Sequence, residues 1–253
     1  MKRRDKGNIA ADGTGEYLTG PPLYHRMREI TGDKLVLAFS RGKDSIAMWL
    51  ELRDYFTIIP YYCYMVPGGL SYERESLDYY ERFFGTKIHR FLHPLFWKNL
   101  NGFLYQPPQR VGTIIASQID DYEYSVLADG LGAYMGIERP YVAFGYRVHD
   151  SPRRRLLILR EGPIGTNLHY FWPIWNWTVG DVAEKLKSCG VKIPRDYEVF
   201  GWTFTATDYQ YIHAVRDNFP EDWERFKFWY PLIEAEIFRH EVVSRDALAQ
   251  VAE

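Results

Sequence analysis

The stretch at residues 35–52 constrains the fold more than any other part of the chain. Its first five residues, 35–39, are all apolar, which predicts a strand buried on both faces. The residues at 40–44 then form a short polar turn that contains a single glycine, Gly42. After the turn the apolar residues take helical spacing, at Ile46, Trp49 and Leu50. The sequence therefore predicts a strand, a tight polar loop and the start of a helix in direct succession.

A loop between a strand and a helix start is suited to binding an anion. The backbone N–H groups of the first helical turn are unpaired, and the positive end of the helix dipole points the same way. Lys43 adds a full charge, and Ser40 and Ser45 add hydroxyl groups, so we expect a phosphate ligand. The stretch departs at Leu37 and Asp44 from the Walker A pattern G-x-x-x-x-G-K-[ST]. The alternative is an ordinary turn in which Asp44 or Ser45 caps the helix.

The hexapeptide Ser40-Arg-Gly-Lys-Asp-Ser45 resembles a known phosphate loop. It is similar to the S-G-G-x-D-S pyrophosphate loop of the PP-loop ATP pyrophosphatases and of the related phosphoadenylyl-sulfate (PAPS) reductases. The resemblance implies that ATP phosphates lie on all six residues, namely Ser40, Arg41, Gly42, Lys43, Asp44 and Ser45. It also implies catalytic roles for Lys43 and Asp44, with Asp44 as a ligand of Mg²⁺.

Arg41 is the one departure from this loop pattern, because the family usually has the first of two glycines there. One interpretation is that Arg41 adds a phosphate ligand. The other is that it changes the loop backbone, since a positive φ costs an arginine energy that it does not cost a glycine.

A second segment resembles the same family. Residues 141–145 predict another buried strand, and the stretch that follows is similar to the G-[IL]-R-x-x-[ED]-S-x-x-R element of the PAPS reductase group. The residues on its positions are Gly145, Arg147, Asp150, Ser151 and Arg154. We expect Arg147 to bind phosphate or sulfate through its planar guanidinium and to take part in catalysis. Gly145, Ser151 and Arg154 are expected to line the nucleotide site, because ligands of open α/β sheets bind beyond the carboxyl ends of strands.

Two further segments support the resemblance without adding chemistry. The residues Pro173, Trp177, Thr178 and Asp181 fit the family pattern P-[IL]-x-x-W-[ST]-x-x-D, although Thr178 and Asp181 also fit a helix capping box. A P-x-x-Y loop follows at 194–197. The resemblance covers about residues 34–201, and it implies a doubly wound, mostly parallel α/β sheet of the adenine nucleotide alpha-hydrolase-like type.

The spacing of the other elements agrees with such a sheet. Strands are predicted at 58–66 and 87–92 with a helix at 71–84 between them, which favours right-handed βαβ units. A short helix is predicted at 24–30. The remaining predictions are a proline-rich loop at 94–108, a helix at 119–135, a β-hairpin over 155–174 and helices from 208 to about 240.

These elements predict three parts of the chain. Residues 1–20 are polar and are expected to be a flexible arm. Residues 21–201 are expected to be the nucleotide-binding domain, with an insertion at about 93–140 that helps to shape the substrate pocket. Residues 202–253 are expected to be a helical C-terminal region.

The cysteines separate the two reactions known in the resembled families. ATP pyrophosphatases cleave ATP between its α and β phosphates and adenylate an oxygen, whereas the reductases attack PAPS with a cysteine near the C-terminus. The chain contains two cysteines, Cys63 and Cys189, and both sit in apolar patterns typical of buried residues. An iron–sulfur cluster needs about four cysteine ligands and is not expected. ATP-dependent adenylation is favoured; a divergent PAPS reductase and a nucleotide-binding regulatory module without turnover are the alternatives.

Charge and composition exclude few kinds of binding partner. The net charge of −2 argues weakly against nucleic acid as the acceptor and does not exclude it. No run approaches the ~20 apolar residues of a membrane span, no secretory signal is recognisable, and two cysteines suit a reducing compartment, so a cytoplasmic protein is expected. An aromatic stripe at Trp223, Phe226, Tyr230 and Ile233 has the helical spacing of a core or of a dimer seam, so a homodimer through the C-terminal helices is an open expectation.

Overall fold

A six-stranded, mostly parallel sheet organises the structure, in the strand order β3-β2-β1-β4-β6-β5. The computed structural model describes residues 10–11, 16–120, 122–167, 169–201 and 207–251, so most of the predicted arm lies outside the described residues. The strands are β1 (Lys34–Ala38), β2 (Thr57–Tyr64), β3 (His89–Leu92), β4 (Val142–Ala143), β5 (Ile164–Gly165) and β6 (Tyr170–Phe171).

The strand order reverses next to β1. β1 pairs in parallel with β2 on one side and with β4 on the other, β4 pairs in parallel with β6, and β5 is antiparallel to β6. The chain therefore builds β2 and β3 outward in one direction and then returns to add β4 on the opposite side of β1. With right-handed crossovers this order is that of a doubly wound sheet, and it sets the carboxyl ends of β1 and β4 side by side. The predicted fold class is confirmed.

The helices lie between and after these strands. They are α1 (Gly20–Thr31), α2 (Lys43–Leu52), α3 (Ser71–Phe84), α4 (Pro94–Asn101), α5 (Pro108–Ala116), α6 (Tyr124–Met135), α7 (Pro152–Glu161), α8 (Val179–Cys189), α9 (Arg195–Phe200), α10 (Tyr209–Asn218), α11 (Pro220–Trp229) and α12 (Glu234–Val251). Within the described part of the chain, no helix combines the length and the apolar character needed to cross a membrane.

The chain divides into two compact units. The first contains Met1–Tyr62, Ser76–Arg90 and Ser125–Val199, and the second contains Cys63–Glu75, Phe91–Tyr124 and Phe200–Glu253. The insertion is predicted at about 93–140, within the nucleotide-binding domain. In the structure its residues up to 124 group instead with the C-terminal helices.

The core of the first unit is built on the apolar run that follows Lys34. Leu35, Val36 and Leu37 are at most 1% exposed, as expected for a strand covered on both faces. Trp49 of α2 is equally buried and stacks on Phe84, with ring centroids 3.9 Å apart. The β1–α2 unit predicted from the sequence is therefore the centre of this core.

The aromatic stripe of the C-terminal helices forms the core of the second unit. Phe226, Tyr230 and Ile233 are fully buried, and Trp223 is 5% exposed. They pack in one cluster with residues from the turn after β2 and from α4. These side chains pack within the core of this unit, and a homodimer through the C-terminal helices stays a prediction.

The predicted β-hairpin over 155–174 is wrong in its first half, which is helix α7. Ser151 caps this helix by accepting a hydrogen bond from the Arg154 N–H at 3.2 Å, and Pro152 occupies its first position. Both are strong helix-start signals, and arginine and leucine favour helix, so the apolar run 156–159 is helical. Only the short antiparallel pair β5–β6 remains of the hairpin; the predicted return strand began at Leu168, which lies outside the described residues.

The predictions for the insertion were also partly wrong. The expected loop at 94–108 contains α4, which begins at Pro94 and is capped by His93, whose Nδ1 accepts a hydrogen bond from the Leu95 N–H. The helix expected over 119–135 begins only at Tyr124, and α5 precedes it. Proline at the first helical position was interpreted as a loop residue, although it also favours helix starts.

Candidate functional site

The loop between β1 and α2 keeps its helix start free of side-chain caps. Helix α2 begins at Lys43 with Gly42 as N-cap, and no side chain makes a capping hydrogen bond there. The alternative in which Asp44 or Ser45 caps the helix is therefore wrong. The first-turn N–H groups of α2 remain directed at the space beyond the loop, which suits an anion.

The two serines of the loop bind the loop itself. The Ser45 hydroxyl donates to the Gly42 carbonyl at 2.9 Å and accepts from the Ser40 N–H at 3.2 Å. The Ser40 hydroxyl accepts from the Gly42 N–H at 3.3 Å and lies 3.1 Å from the Ser45 hydroxyl. Both side chains, predicted as phosphate ligands, thus fix the loop backbone in this structure.

Arg41 adopts the strained backbone that its glycine-like position predicts. Its φ is 62°, in the left-handed region, and its side chain is only 6% exposed. The guanidinium Nη1 donates to Asp196 Oδ1 and to Ser76 Oγ, each at 2.9 Å, and the guanidinium carbon lies 5.2 Å from the centre of the Tyr62 ring. The arginine thus forms a buried ion pair with Asp196.

Asp196 was missed by the sequence analysis, although it lies inside the recognised loop at 194–197. The segment around it is held at a second point, because the Tyr79 hydroxyl accepts from the Lys192 N–H at 3.0 Å and the Tyr80 hydroxyl donates to the Lys192 carbonyl at 2.7 Å. As a result Tyr197 lies beside the Ser40–Ser45 loop, with its ring centre 5.8 Å from Lys43 Nζ.

Gly145 brings the second motif into contact with the loop. A Cβ at this position would lie 3.1 Å from the carbonyl carbon and oxygen of Asp44 and 3.2 Å from the Ser45 nitrogen. Those neighbours are backbone atoms of a helix start and cannot yield cheaply, so the close approach favours glycine. The chain after β4 therefore packs directly on the first turn of α2, as the adjacent strand ends require.

Arg147 is the buried cation of this second motif. It is 4% exposed, its Nε lies 3.1 Å from Asp44 Oδ1, and its Nη2 lies 2.8 Å from Asp150 Oδ1. Its Nε and Nη1 are both buried, and neither has a hydrogen-bond partner among the described residues, so the contact of Nε with Asp44 Oδ1 is an ion pair without a hydrogen bond. A buried guanidinium N–H without an acceptor is costly. These donors are therefore consistent with a site that receives an anionic ligand.

Asp150 joins Arg147 and Arg154 of this motif through hydrogen bonds. Its Oδ2 accepts from the Arg147 N–H and from Arg154 Nη1, both at 2.9 Å. The Arg154 guanidinium also covers the Tyr146 ring at 4.2 Å from the ring centre. Ser151, predicted to line the nucleotide site, is used as the cap of α7. The structure thus brings the loop, Gly145 and Arg147 together and links Arg154 to them through one carboxylate.

Asp44 lies between two cations. Lys43 Nζ is 3.2 Å from Asp44 Oδ2, and Arg147 is on the opposite oxygen. Burial by itself would lower the pKa of Lys43, but the Asp44 carboxylate and Tyr197 outweigh it and raise that pKa above its usual value. The Lys43 side chain is therefore a stable cation at neutral pH.

Asp44 could supply one carboxylate ligand to a magnesium ion. Among the described residues no group of three histidine, cysteine or acidic side chains is arranged to hold a metal. Mg²⁺ is commonly held by one or two carboxylates together with substrate phosphates. One carboxylate between two cations fits that pattern only when phosphate oxygens supply the other ligands and satisfy the cations.

The two cysteines are half-buried, not buried as predicted. Burial nevertheless raises the pKa of the Cys63 thiol to about 12, so this thiol is protonated at neutral pH. The nucleophilic form of cysteine is the thiolate, and Cys63 is not poised to supply it. Cys189 ends helix α8, and Ser188 is the polar neighbour of its sulfur, at 3.8 Å.

Known proteins show only a weak similarity to this chain. No protein-family model and no curated protein matches the chain. A solved structure that matches is the NH3-dependent NAD synthetase from Campylobacter jejuni subsp. jejuni NCTC 11168 in complex with the nitrate ion, at 12% identity and a TM-score of 0.41, over 86% of this chain and 90% of that one.

Proposed function

We propose that the protein binds ATP on the Ser40–Ser45 loop and adenylates an acceptor oxygen with release of pyrophosphate. The observation that carries the proposal is the convergence of two separate segments on one anion-binding point. Gly145 packs on the first turn of α2, and Arg147 places a buried guanidinium beside Asp44 with two nitrogens, Nε and Nη1, that have no hydrogen-bond partner among the described residues. The resemblance of both segments to PP-loop proteins supports the same assignment.

The residues have distinct roles in this reaction. The acceptor oxygen attacks the α-phosphorus of ATP, the bond between that phosphorus and the bridging oxygen breaks, and the electron pair leaves with pyrophosphate. Lys43, Arg147 and the first N–H groups of α2 stabilise the charge that develops on the leaving group. Asp44 holds the two cations in place before the nucleotide arrives. When bound, Mg²⁺ on Asp44 and the phosphates neutralises part of the phosphate charge.

The state of the cysteines supports adenylation over reduction of PAPS. A reductase needs a thiolate that attacks sulfur, and the raised pKa of Cys63 opposes it. We therefore expect the double variant Cys63→Ser, Cys189→Ser to keep nucleotide turnover. Sulfite released from PAPS by the wild type and lost in this variant would return the protein to the reductase class.

Pyrophosphate release is the direct test of the proposal. Purified protein should bind ATP in calorimetry and release pyrophosphate and AMP slowly, with water as the default acceptor. Arg147→Ala should abolish both, whereas Arg155→Ala, an exposed charge removal on the next helix, should keep both. Tight ATP binding without any pyrophosphate, with any acceptor tried, would favour a regulatory module. Absence of ATP binding would refute the site assignment.

A further inference from the structure

A short part of the chain ahead of α1 forms a small folded element, which we call the strap (residues 10–11 and 16–18). The Leu18 N–H donates to the Ala10 carbonyl at 2.8 Å, and the two stretches also form one antiparallel bridge. Ala10 is fully buried. The strap belongs to the first unit, and it precedes the part of the chain that resembles PP-loop proteins.

The strap is hydrogen-bonded to the end of α7. The Tyr17 hydroxyl donates to the Leu159 carbonyl at 3.0 Å. Leu159 lies in the last turn of α7, where carbonyl groups lack an intrahelical donor. The helix that Ser151 caps at its start is therefore held by Tyr17 at its end.

Trp175 is the second point of attachment. Its indole Nε1 donates to the Leu18 carbonyl at 3.1 Å, and its ring meets the Tyr17 ring at 89° with centroids 5.9 Å apart. Its backbone carbonyl accepts from the Val148 N–H at 2.8 Å. Trp175 therefore binds the strap with its side chain and, with its backbone, the residue next to Arg147.

These contacts close a ring around the Arg147 motif. The strap is tied to Val148 through Trp175 and to Leu159 directly, so it connects the two ends of the segment 148–159. Within that segment Asp150 binds Arg147, through both the backbone N–H and the guanidinium of the arginine. A segment held at both ends by the same element has fewer conformations available than one held at a single end.

Arg147 depends on such a constraint more than an ordinary buried arginine does. Its Nε and Nη1 are buried without a hydrogen-bond partner among the described residues, which is costly. Without a constraint, the segment would be free to shift toward another acceptor or toward water. We propose that the strap holds the Arg147 segment in the geometry that receives a phosphate of ATP, with Tyr17 and Trp175 as positioning residues. This role rests on the proposed function and deepens it, because ATP affinity then depends on residues ahead of the recognised motifs.

A purely stabilising role of the strap is the alternative. The Tyr17 bond is exposed and the Trp175 bond is partly buried, and single hydrogen bonds of this kind contribute little to global stability. Their location favours positioning, since both attachments lie at the ends of the Arg147 motif. Trp175 stands at an unspecified position of the pattern P-[IL]-x-x-W, so the resemblance assigns it no role.

Two conservative variants of the full chain test the proposal. Tyr17→Phe keeps the ring and deletes the hydroxyl, and Trp175→Phe keeps a ring and deletes the indole N–H. Each should weaken ATP binding in calorimetry by about 2- to 10-fold, the range of one lost hydrogen bond. Ser188→Ala is the matched control, because this exposed hydroxyl also donates to a carbonyl near a helix end, that of Lys185 at 2.9 Å. It should leave the affinity unchanged.

A double-mutant cycle with Arg147→Lys separates positioning from general stability. Lysine lacks the planar fork whose orientation the strap is proposed to fix. The double variant Tyr17→Phe, Trp175→Phe should lower ATP affinity at least about fivefold in the wild-type background, one typical hydrogen bond. In the Arg147→Lys background the loss should be less than about twofold, the scatter of additive pairs. Equal losses in both backgrounds, or unchanged affinity in the wild-type background, would overturn the proposal. If the double variant does not fold, Tyr17→Phe alone decides, because it deletes one exposed bond.

Hydrogen exchange without ATP distinguishes failure of the strap from failure of the proposed function. The Val148 amide, followed by NMR, should exchange about fivefold faster in the double variant and at the native rate in Ser188→Ala. Faster exchange in a protein that binds no ATP would leave the hold of the strap on this segment standing and refute the proposed function. ATP binding and pyrophosphate release at native levels in the double variant, with unchanged exchange, would refute the strap alone.

Discussion

The Ser40–Ser45 loop and the segment after β4 each bury one arginine, but the two arginines have different partners. Arg41 and Arg147 are 5% and 4% exposed, and each is paired with an aspartate. Arg41 turns to Asp196 and Ser76, and so holds the 192–197 segment to the loop. Arg147 turns to the start of α2, where its buried Nε and Nη1 have no hydrogen-bond partner among the described residues. Burial and pairing alone therefore do not identify a ligand-binding arginine; the direction of the guanidinium does.

The largest expected effect is the loss of stability when the ion pair between Arg41 and Asp196 is broken. Asp196→Ala leaves the Arg41 charge buried without its carboxylate, and losing one partner of such a pair costs about 3–5 kcal/mol of unfolding free energy. Chemical denaturation would measure it. The double variant Arg41→Gly, Asp196→Ala should recover most of the loss, since glycine accepts the positive φ without strain. Additive losses in the double variant would show that the two residues do not act as a pair.

The second effect concerns Lys43, whose side chain is 30% exposed. Lys43→Ala should leave the unfolding free energy nearly unchanged and remove one charge-assisted phosphate contact, worth about 1.5–3 kcal/mol or about 10- to 150-fold in ATP affinity. Calorimetry with ATP would measure it. An unchanged affinity in a variant with native melting behaviour would contradict the phosphate assignment of the loop.

A smaller effect on ATP affinity is expected when Arg147 is replaced by lysine. Arg147→Lys keeps the positive charge beside Asp44 and Asp150 but loses the planar fork that presents the spare Nη1. We expect ATP binding to weaken about tenfold, the low end for one hydrogen bond to a charged group, and the salt dependence to stay the same. A lysine variant that binds as well as the wild type would show that charge alone is used.

The smallest effect is expected for ATP affinity in the double variant Arg41→Gly, Asp196→Ala. Because the Arg41 guanidinium is directed at Asp196 and Ser76, its removal should change affinity by less than about twofold, within the spread of surface effects. The salt dependence of binding should match the wild type. A clear loss of affinity, together with a weaker salt dependence, would make Arg41 a phosphate ligand after all.

The sheet and the loop could be predicted because their signals are local. Five apolar residues followed by a polar turn and helical spacing require only near neighbours, and β1 and α2 lie where that pattern places them. The same reasoning failed at 155–160, where an apolar run fits strand or helix equally and the cap at Ser151 decided it.

The parts of the site that could not be predicted depend on contacts between distant residues. The pairing of Arg41 with Asp196 joins positions 155 residues apart, and no local pattern reports it. The tyrosines that hold Lys192 are likewise distant from it in sequence. The positive φ at Arg41 was inferred as an alternative from the glycine that usually stands there, whereas the direction of the side chain required the tertiary structure.

The closed hydrogen-bond ring of Ser40, Gly42 and Ser45 has a consequence for the kinetics of binding. Because these groups fix the loop through one another, the loop holds its shape without a ligand. A ligand that arrives there has no loop to order, so that part of the usual entropy cost of association is absent. Association and dissociation of the proposed phosphate ligand should then depend on charge and salt, and not on a slow rearrangement of the backbone.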